Sequence, residues 1–324
     1  MKICFLDNLD IPYTSKDINS VKLRGGENII INLSRELVKL GNDVIVYNNC
    51  NYDCEIDGVN WSNIKNINNN IIFDIAITNN DINLFNKIKS KKYLAFSYSI
   101  QSLEKFVRKR QLLNYIKYKP KIILLGNYHS NKRNKLLKIF GSFITELGVD
   151  EIFINSKIND DIVENRAIFT SRKDRNLNLL INIWKNYIFL HNKTAKLFVT
   201  PCNLIDNKFN IFERNFTNRN LLINDMLKSK VLLIPGHKAE LFCLAAEEAR
   251  ELCIPVVTLG IGSLSERVIH GKTGFIAKNN DEFAKFALDI LENNSIWQEI
   301  RDNLVKLRGS KKWSTVTSNL LKLV

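Results

Sequence analysis

"AELFCLAAEEARELCIPVVTLG", from Ala239 to Gly260, runs a small-residue helix into an apolar strand and sets acids around the helix start. Glu240 stands before the apolar stretch, and Glu248 follows eight residues later within the helix. Glu247 and Glu251 are expected to face water. "IPVVTLG" reads as a buried strand, so the segment predicts a helix that begins near Phe242, where a sheet opens. The preceding "VLLIPGHKAE" ends another strand and turns through Pro235 and Gly236.

Such a helix start presents free backbone N–H groups and a positive dipole end, which suits a diphosphate. A carboxylate only accepts hydrogen bonds, so it pairs well with vicinal hydroxyls. Glu240 lies just before the helix and Glu248 a turn or more inside it, so the two reach opposite sides of the anion site. A sugar, a diphosphate and a ribose in that order describe a nucleotide sugar.

The rest of the chain supplies the scaffold. "KICFL" is a short strand, followed by a loop to "RGGE" (Arg24 to Glu27) and a helical pattern with Ile30, Leu33, Leu37 and Leu40. Strands follow at "DVIVYN", "IIFDIAITN", "KYLAFSY" and "KIILL". After a polar stretch at 147–164 the pattern restarts with "RAIFTS", and a helix follows with Leu177, Leu180, Ile181 and Trp184 on one face. "KLFVT", "VLLIP", "IPVVTLG" and "GFIA" complete a second set of strands, and helices run from Asp281 to Val324. Strands alternating with helices predict α/β architecture with parallel sheets. The economical reading is two Rossmann-like domains, residues 1–152 and 153–324, facing across a cleft, with the final helix free to pack back on the first. Open parallel sheets bind ligands at the carboxyl ends of their strands.

Composition narrows the class. A chain of 324 residues, 45% hydrophobic and 25% charged, has room for two cores and is not disordered. No run reaches the roughly 20 apolar residues of a membrane span, and the first residues lack a signal-like apolar core, so a cytoplasmic protein is expected. The six cysteines sit mostly in apolar segments, and Cys50–Cys54 has no partner pair for zinc. A formal charge of +14 concentrates in Lys105–Lys121 and His129–Lys138, a face suited to anionic lipid and hence to peripheral contact with the inner face of a membrane. No nucleic-acid-binding motif accompanies it, so no nucleic acid partner is expected. "GIGSLS" (Gly260 to Ser265) lacks the third glycine of a dinucleotide loop, which excludes a nicotinamide site.

With its flanks, the Glu240–Glu248 spacing resembles the E-x7-E segment of family 4 (group 1) retaining glycosyltransferases of GT-B fold. "IPVVTLGIGSLSERVIHGKTGFIA" is similar to that family's strand, Gly-rich turn, short helix and G-x-T-G-F. "RGGE" resembles its first-loop Gly-Gly, and "IFTSRKDRNLNLLINIW" the opening strand and helix of its C-terminal domain. The resemblance implies a hexosyltransferase fed by a UDP- or GDP-linked sugar, with a glycan or lipid-linked acceptor. With no acidic D-x-D motif at a strand end, no metal and no further cofactor are expected. It implies that Glu240 contacts the donor sugar and Glu248 the ribose. Phe242, Cys243 and Leu244 would offer N–H groups, and Gly25 and Gly26 would let the backbone approach the phosphates. Arg172 and Arg175 would bind the diphosphate, Arg175 being favoured because it immediately precedes the helix.

One position departs from the family. Where many members carry a histidine, this chain has Tyr98, on the acceptor side; His129 falls after the next strand and is no obvious substitute. Retaining transfer in this fold lets the departing diphosphate oxygen take the acceptor's proton, so the reaction class survives the exchange. A nucleotide-sugar 2-epimerase of the same fold and a degenerate sugar-nucleotide binder are the alternatives.

Overall fold

In the first sheet, strands β1 (Lys2–Leu6), β2 (Asp43–Asn48), β3 (Cys54–Ile56), β4 (Val59–Asn63), β5 (Ile72–Asn79), β6 (Lys89–Phe96), β7 (Lys121–Leu124) and β8 (Ser142–Ile144) lie in the order β3-β4-β2-β1-β5-β6-β7-β8. Ile3, Cys4, Phe5 and Leu6 of β1 are buried, as a continuous apolar run must be when helices cover both faces of a parallel sheet. All pairings are parallel except β3 with β4. That hairpin turns through Asp57 (φ 56°) and Gly58 (φ 73°), two consecutive positive-φ residues that match the strand twist. The computed structural model describes residues 1–18, 23, 25–158, 164–214 and 218–324. Arg24 of "RGGE" and residues 159–163 of the polar stretch lie outside the described residues.

This sheet belongs to a unit made of residues 1–148 and 313–324. Its helix Gly25–Lys39 buries Ile29, Ile30, Ile31, Leu33 and Leu37, each side chain stabilising by roughly 1.5–3 kcal/mol. Apolar burial wider than a single stripe has a cause: the helix also touches the C-terminal helix Trp313–Leu323. Leu40, expected on the buried face, is instead exposed just past the helix end, where Gly41 turns the chain at φ 79°. A Cβ placed on Gly148 would meet the Trp313 ring at 2.6 Å, so the bare glycine is what lets Trp313 approach the chain so closely.

The second unit, residues 149–312, holds β9 (Arg166–Ile168), β10 (Lys196–Val199), β11 (Ile211–Glu213), β12 (Val231–Leu233), β13 (Val256–Thr258) and β14 (Gly274–Ile276). They run parallel in the order β11-β10-β9-β12-β13-β14. Leu177, Leu180, Ile183 and Trp184 pack into its core, with Ile181 only partly buried. The Trp184 indole N–H donates to the Phe209 carbonyl at 2.8 Å, so this large ring is buried with its polar atom satisfied.

In each sheet the chain reverses its direction of growth beside the first strand laid down. The reversal falls between β1 and β5 in one unit and between β9 and β12 in the other. Loops leaving the two strands at such a point diverge to opposite faces and leave a crevice at their carboxyl ends.

Replacing Trp313 by Ala should destabilise the first unit by about 3–5 kcal/mol, the usual cost of deleting a buried aromatic. Hydrogen exchange should quicken in the helix Gly25–Lys39 and leave the core strands of residues 149–312 unchanged.

Candidate functional site

At the β9/β12 crevice, the loop after β9 carries Arg172 and Arg175. Asn176 takes a left-handed conformation (φ 63°) and donates its side-chain amide to the Gly236 carbonyl at 2.5 Å, tying this loop to the one after β12. Arg175 is thereby aimed at Glu240, with its Nε 3.3 Å from Glu240 Oε2. The same guanidinium lies 3.5 Å from His237 Nδ1, which also accepts the Ala239 N–H at 3.1 Å. Two donors on Nδ1 leave the proton of a neutral ring on Nε2. Arg172 is not brought to Glu240; its side chain is 70% exposed and pairs with Asp174 at 3.0 Å.

The loop bearing Glu240 is held by backbone. Its carbonyl accepts the Ser263 N–H at 3.0 Å, and Gly262 packs so closely that a Cβ there would meet the His237 carbonyl oxygen at 2.4 Å. Gly262 also has φ +78°, so glycine is required both for conformation and for space. The "GIGSLS" run thus serves as a close-packing turn beneath the Glu240 loop.

The helix starts at Leu244, two residues later than the sequence suggested, because Cys243 takes a left-handed conformation at its N-cap (φ 61°). A side chain bearing a Cβ is strained there by the order of 1–3 kcal/mol, and such strain is often found where a loop must aim a group. Phe242 and Cys243 are buried and Leu244 half-buried. The first-turn N–H groups lack helical partners, as at any helix start.

The expectation for Glu247 and Glu251 is overturned: both are buried. Glu247 pairs with Arg250 at 2.5 Å and with Arg267 at 3.0 Å. The Arg267 guanidinium lies 4.6 Å from the Phe242 ring centroid, so the buried acid locks the residue that precedes the helix. Glu251 accepts the Gly309 N–H at 2.7 Å and pairs with Arg250. These acids hold the helix rather than decorate it; Arg250 is a local partner, but Arg267 and Gly309 lie too far along the sequence to show in a local pattern.

Glu248 is half-buried on the same helix. Burial pushes its carboxyl above the ordinary range, and the charges of Arg219 and Arg214 draw it partly back. Arg219 is itself engaged by Asp150, while the buried Arg214 reaches Asp225 only at 3.8 Å. Neither arginine was singled out from the sequence.

At the β1/β5 crevice of the other unit, Gly25 and Gly26 open the helix Gly25–Lys39. A Cβ on Gly26 would lie 3.3 Å from Asn79 Nδ2 and 3.6 Å from the Tyr98 ring. Asp7, just past β1, accepts the Tyr13 hydroxyl at 2.6 Å and the Asn79 amide at 3.2 Å. Tyr98 stacks on Phe96 at 5.8 Å, and its hydroxyl is pushed well up by burial and then by the Asp7 and Glu27 carboxylates. His129 does not replace the missing histidine. It is buried, with Nδ1 accepting the Leu125 N–H at 3.3 Å and Nε2 lying 3.3 Å from the Ser99 carbonyl. Because a carbonyl only accepts, the proton sits on Nε2, and the ring anchors the loop that carries Tyr98.

Solved structures share this architecture end to end. Sucrose-phosphate synthase from Thermosynechococcus elongatus superposes with a TM-score of 0.72 at 12% identity, over 100% of this chain and 98% of its own. HepE from Anabaena, solved with UDP, gives 0.72 at 14% identity over 100% and 99%. WaaG, a glycosyltransferase involved in lipopolysaccharide biosynthesis, gives 0.70 at 12% identity over 100% and 99%.

The fold is GT-B.

Within this GT-B chain, residues 188–307 match the family model described as glycosyl transferases group 1. That stretch takes in Glu240, Phe242, Cys243, Leu244 and Glu248 and stops short of Arg172, Arg175 and the whole first unit. No curated protein matches the chain by sequence.

Burial lowers the His129 value from 6.5 to about 4. As pH falls through that window the unfolded chain takes up the proton first, so His129 contributes stability at neutral pH that is lost on acidification. The loss amounts to about 3 kcal/mol at most. His129→Gln should flatten this part of the pH–stability curve in urea titrations between pH 6.5 and about 4.

Proposed function

We propose that the protein is a glycosyltransferase that moves a hexose from a nucleotide-diphosphate sugar to an acceptor hydroxyl, with retention and without a metal. The observation that carries the reading is the Arg175–Glu240 pair at the β9/β12 crevice, 3.3 Å apart and held there by Asn176 and Gly262. HepE, of the same fold, has been solved with UDP and with UDP-glucose, which supports a nucleotide-sugar donor here.

In this reading Arg175 and the helix start at Leu244 receive the diphosphate. The incoming phosphates draw the guanidinium away from Glu240 and free its carboxylate for the hexose hydroxyls. Charge developing on the leaving diphosphate then meets donors already in place, which is the largest kind of help such a site gives. The leaving phosphate oxygen takes the proton of the acceptor hydroxyl as the new glycosidic bond forms on the face the donor bond leaves. Glu248, flanked by Arg214 and Arg219, takes the ribose hydroxyls. Product would pass to a glycan or a lipid-linked chain.

The two glutamates should fail differently. Glu240→Gln should cut turnover strongly and leave UDP or GDP affinity unchanged or tighter, because Arg175 loses its internal partner. Glu248→Gln should weaken nucleotide and nucleotide-sugar alike by about 1–3 kcal/mol, with less effect on turnover at saturating donor. Calorimetry with UDP and GDP, then donor-consumption kinetics, reads both; equal behaviour of the two variants would falsify the division of roles.

Among the described residues, no helix is long and apolar enough to cross a membrane. Val107, Leu113 and Ile116 are exposed among the lysines and arginines of residues 105–121. Weak peripheral attachment to anionic membrane follows from that pairing of apolar tips with positive charge. Flotation with liposomes should show binding that rises with anionic lipid and falls with salt; binding indifferent to lipid charge would remove the membrane from the reading.

A further inference from the structure

The two crevices differ in charge balance. At β9/β12 each acid faces an arginine. At β1/β5, Asp7 and Glu27 are both buried to 1% exposure, and neither forms an ion pair among the described residues. This occurs in a chain with a net charge of +14, where cations are plentiful.

Asp7 is satisfied by Tyr13 and Asn79, whereas Glu27 is not. Both Glu27 carboxylate oxygens, Asn79 Oδ1 and the Tyr98 hydroxyl are buried without a hydrogen-bond partner. Buried polar atoms are nearly always paired, so four orphans around one glycine mark a place built for something else. They share one chemistry. Three are pure acceptors, and the fourth is a hydroxyl able to accept. Gly26 borders them with bare backbone; a Cβ there would crowd the Asn79 amide at 3.3 Å and touch the Tyr98 ring at 3.6 Å. The position is the one where an open parallel sheet takes its ligand.

We propose that Glu27, Asn79 and Tyr98, backed by Asp7, form a subsite that receives hydrogen-bond donors of an uncharged or cationic ligand, sugar hydroxyls or an ammonium, and rejects phosphate and carboxylate; Gly26 then borders this subsite instead of the phosphates expected there. The inference rests on the proposed transfer only in naming that ligand as the acceptor. Two adjacent buried acids repel an anion, while a polyol or amino sugar supplies the missing donors. The choice of acceptor is then made in the first unit by charge, separately from nucleotide binding in the second.

Saturation-transfer NMR on the full chain with four probes tests this: methyl glucoside, glucosamine, glucose 6-phosphate and glucuronate. Methyl glucoside and glucosamine should bind and the two anionic sugars should not. Glu27→Gln should weaken both binders, glucosamine by about tenfold or more, the fold-change of a lost charged hydrogen bond. Tyr98→Phe, which keeps the ring stacked on Phe96, should weaken methyl glucoside by a smaller factor. Glu27→Gln should also melt no lower than the parent, because neither carboxyl oxygen has a partner to lose; a merely structural glutamate would melt lower on replacement. Anionic sugars that bind as well as neutral ones, no binding by any probe, or binding unaltered in Glu27→Gln each overturn the subsite. UDP titrated into the same samples judges the donor reading separately, whichever way the sugars behave.

Discussion

A parallel strand must be approached from a distance, by a crossover that covers one face of the sheet. Once the first strand has gained a neighbour on one side, growth on the other side sends the next crossover to the opposite face. The loops that leave the first strand and its late neighbour therefore part, and nothing in the sheet can close the gap between them. In this protein the constraint operates twice, beside β1 and beside β9. The candidate site residues stand at those two gaps: Arg175, Glu240 and the left-handed Asn176 at one, the buried acids Asp7 and Glu27 at the other. Asn176 and Gly262 brace one, and Gly26 and His129 shape the other.

Charge is handled differently at different depths. Glu247 and Glu251 lie deep and are paired with arginines, Glu251 also with a backbone N–H. Their net stabilising effect is small, since desolvating both partners nearly cancels their attraction, but removing one partner would strand the other. Such pairs fix geometry: they decide where Phe242 and the helix start sit. The Arg175–Glu240 pair is shallower, with side chains 17% and 19% exposed, and can be broken by a competing anion at modest cost. Around this one helix start, depth thus separates Glu247 and Glu251, which hold the helix, from Glu240, which can change partners.

Much of this was legible in the chain. Buried parallel strands show as apolar runs, and the spacing from Glu240 to Glu248 placed both acids near one helix start. What the local pattern does not carry is either polar or distant in sequence. β3, β4, β8 and β11 lie at or next to the sheet edges and lack the continuous apolar run of the short β12 and β13, although the Asp57–Gly58 pair is itself a hairpin sign. The burial of Glu247 depends on Arg267, twenty positions away. The late start of the helix depends on one positive φ at a cysteine, a residue with no propensity for it. Asp7, Asn79 and Tyr98 come from the ends of three strands, and only strand order brings them together.

The helix Trp313–Leu323 closes the first unit although it is made after the second. Residues 149–312 form an uninterrupted stretch and can complete their core as soon as they have left the ribosome. The earlier-made residues 1–148 cannot, because Gly148 and the helix Gly25–Lys39 wait for a segment encoded almost three hundred residues after the first turn of that helix. The unit begun first is therefore the last to receive its final element. Until the last helix docks, the apolar face it will cover is open to chaperones and to neighbouring nascent chains.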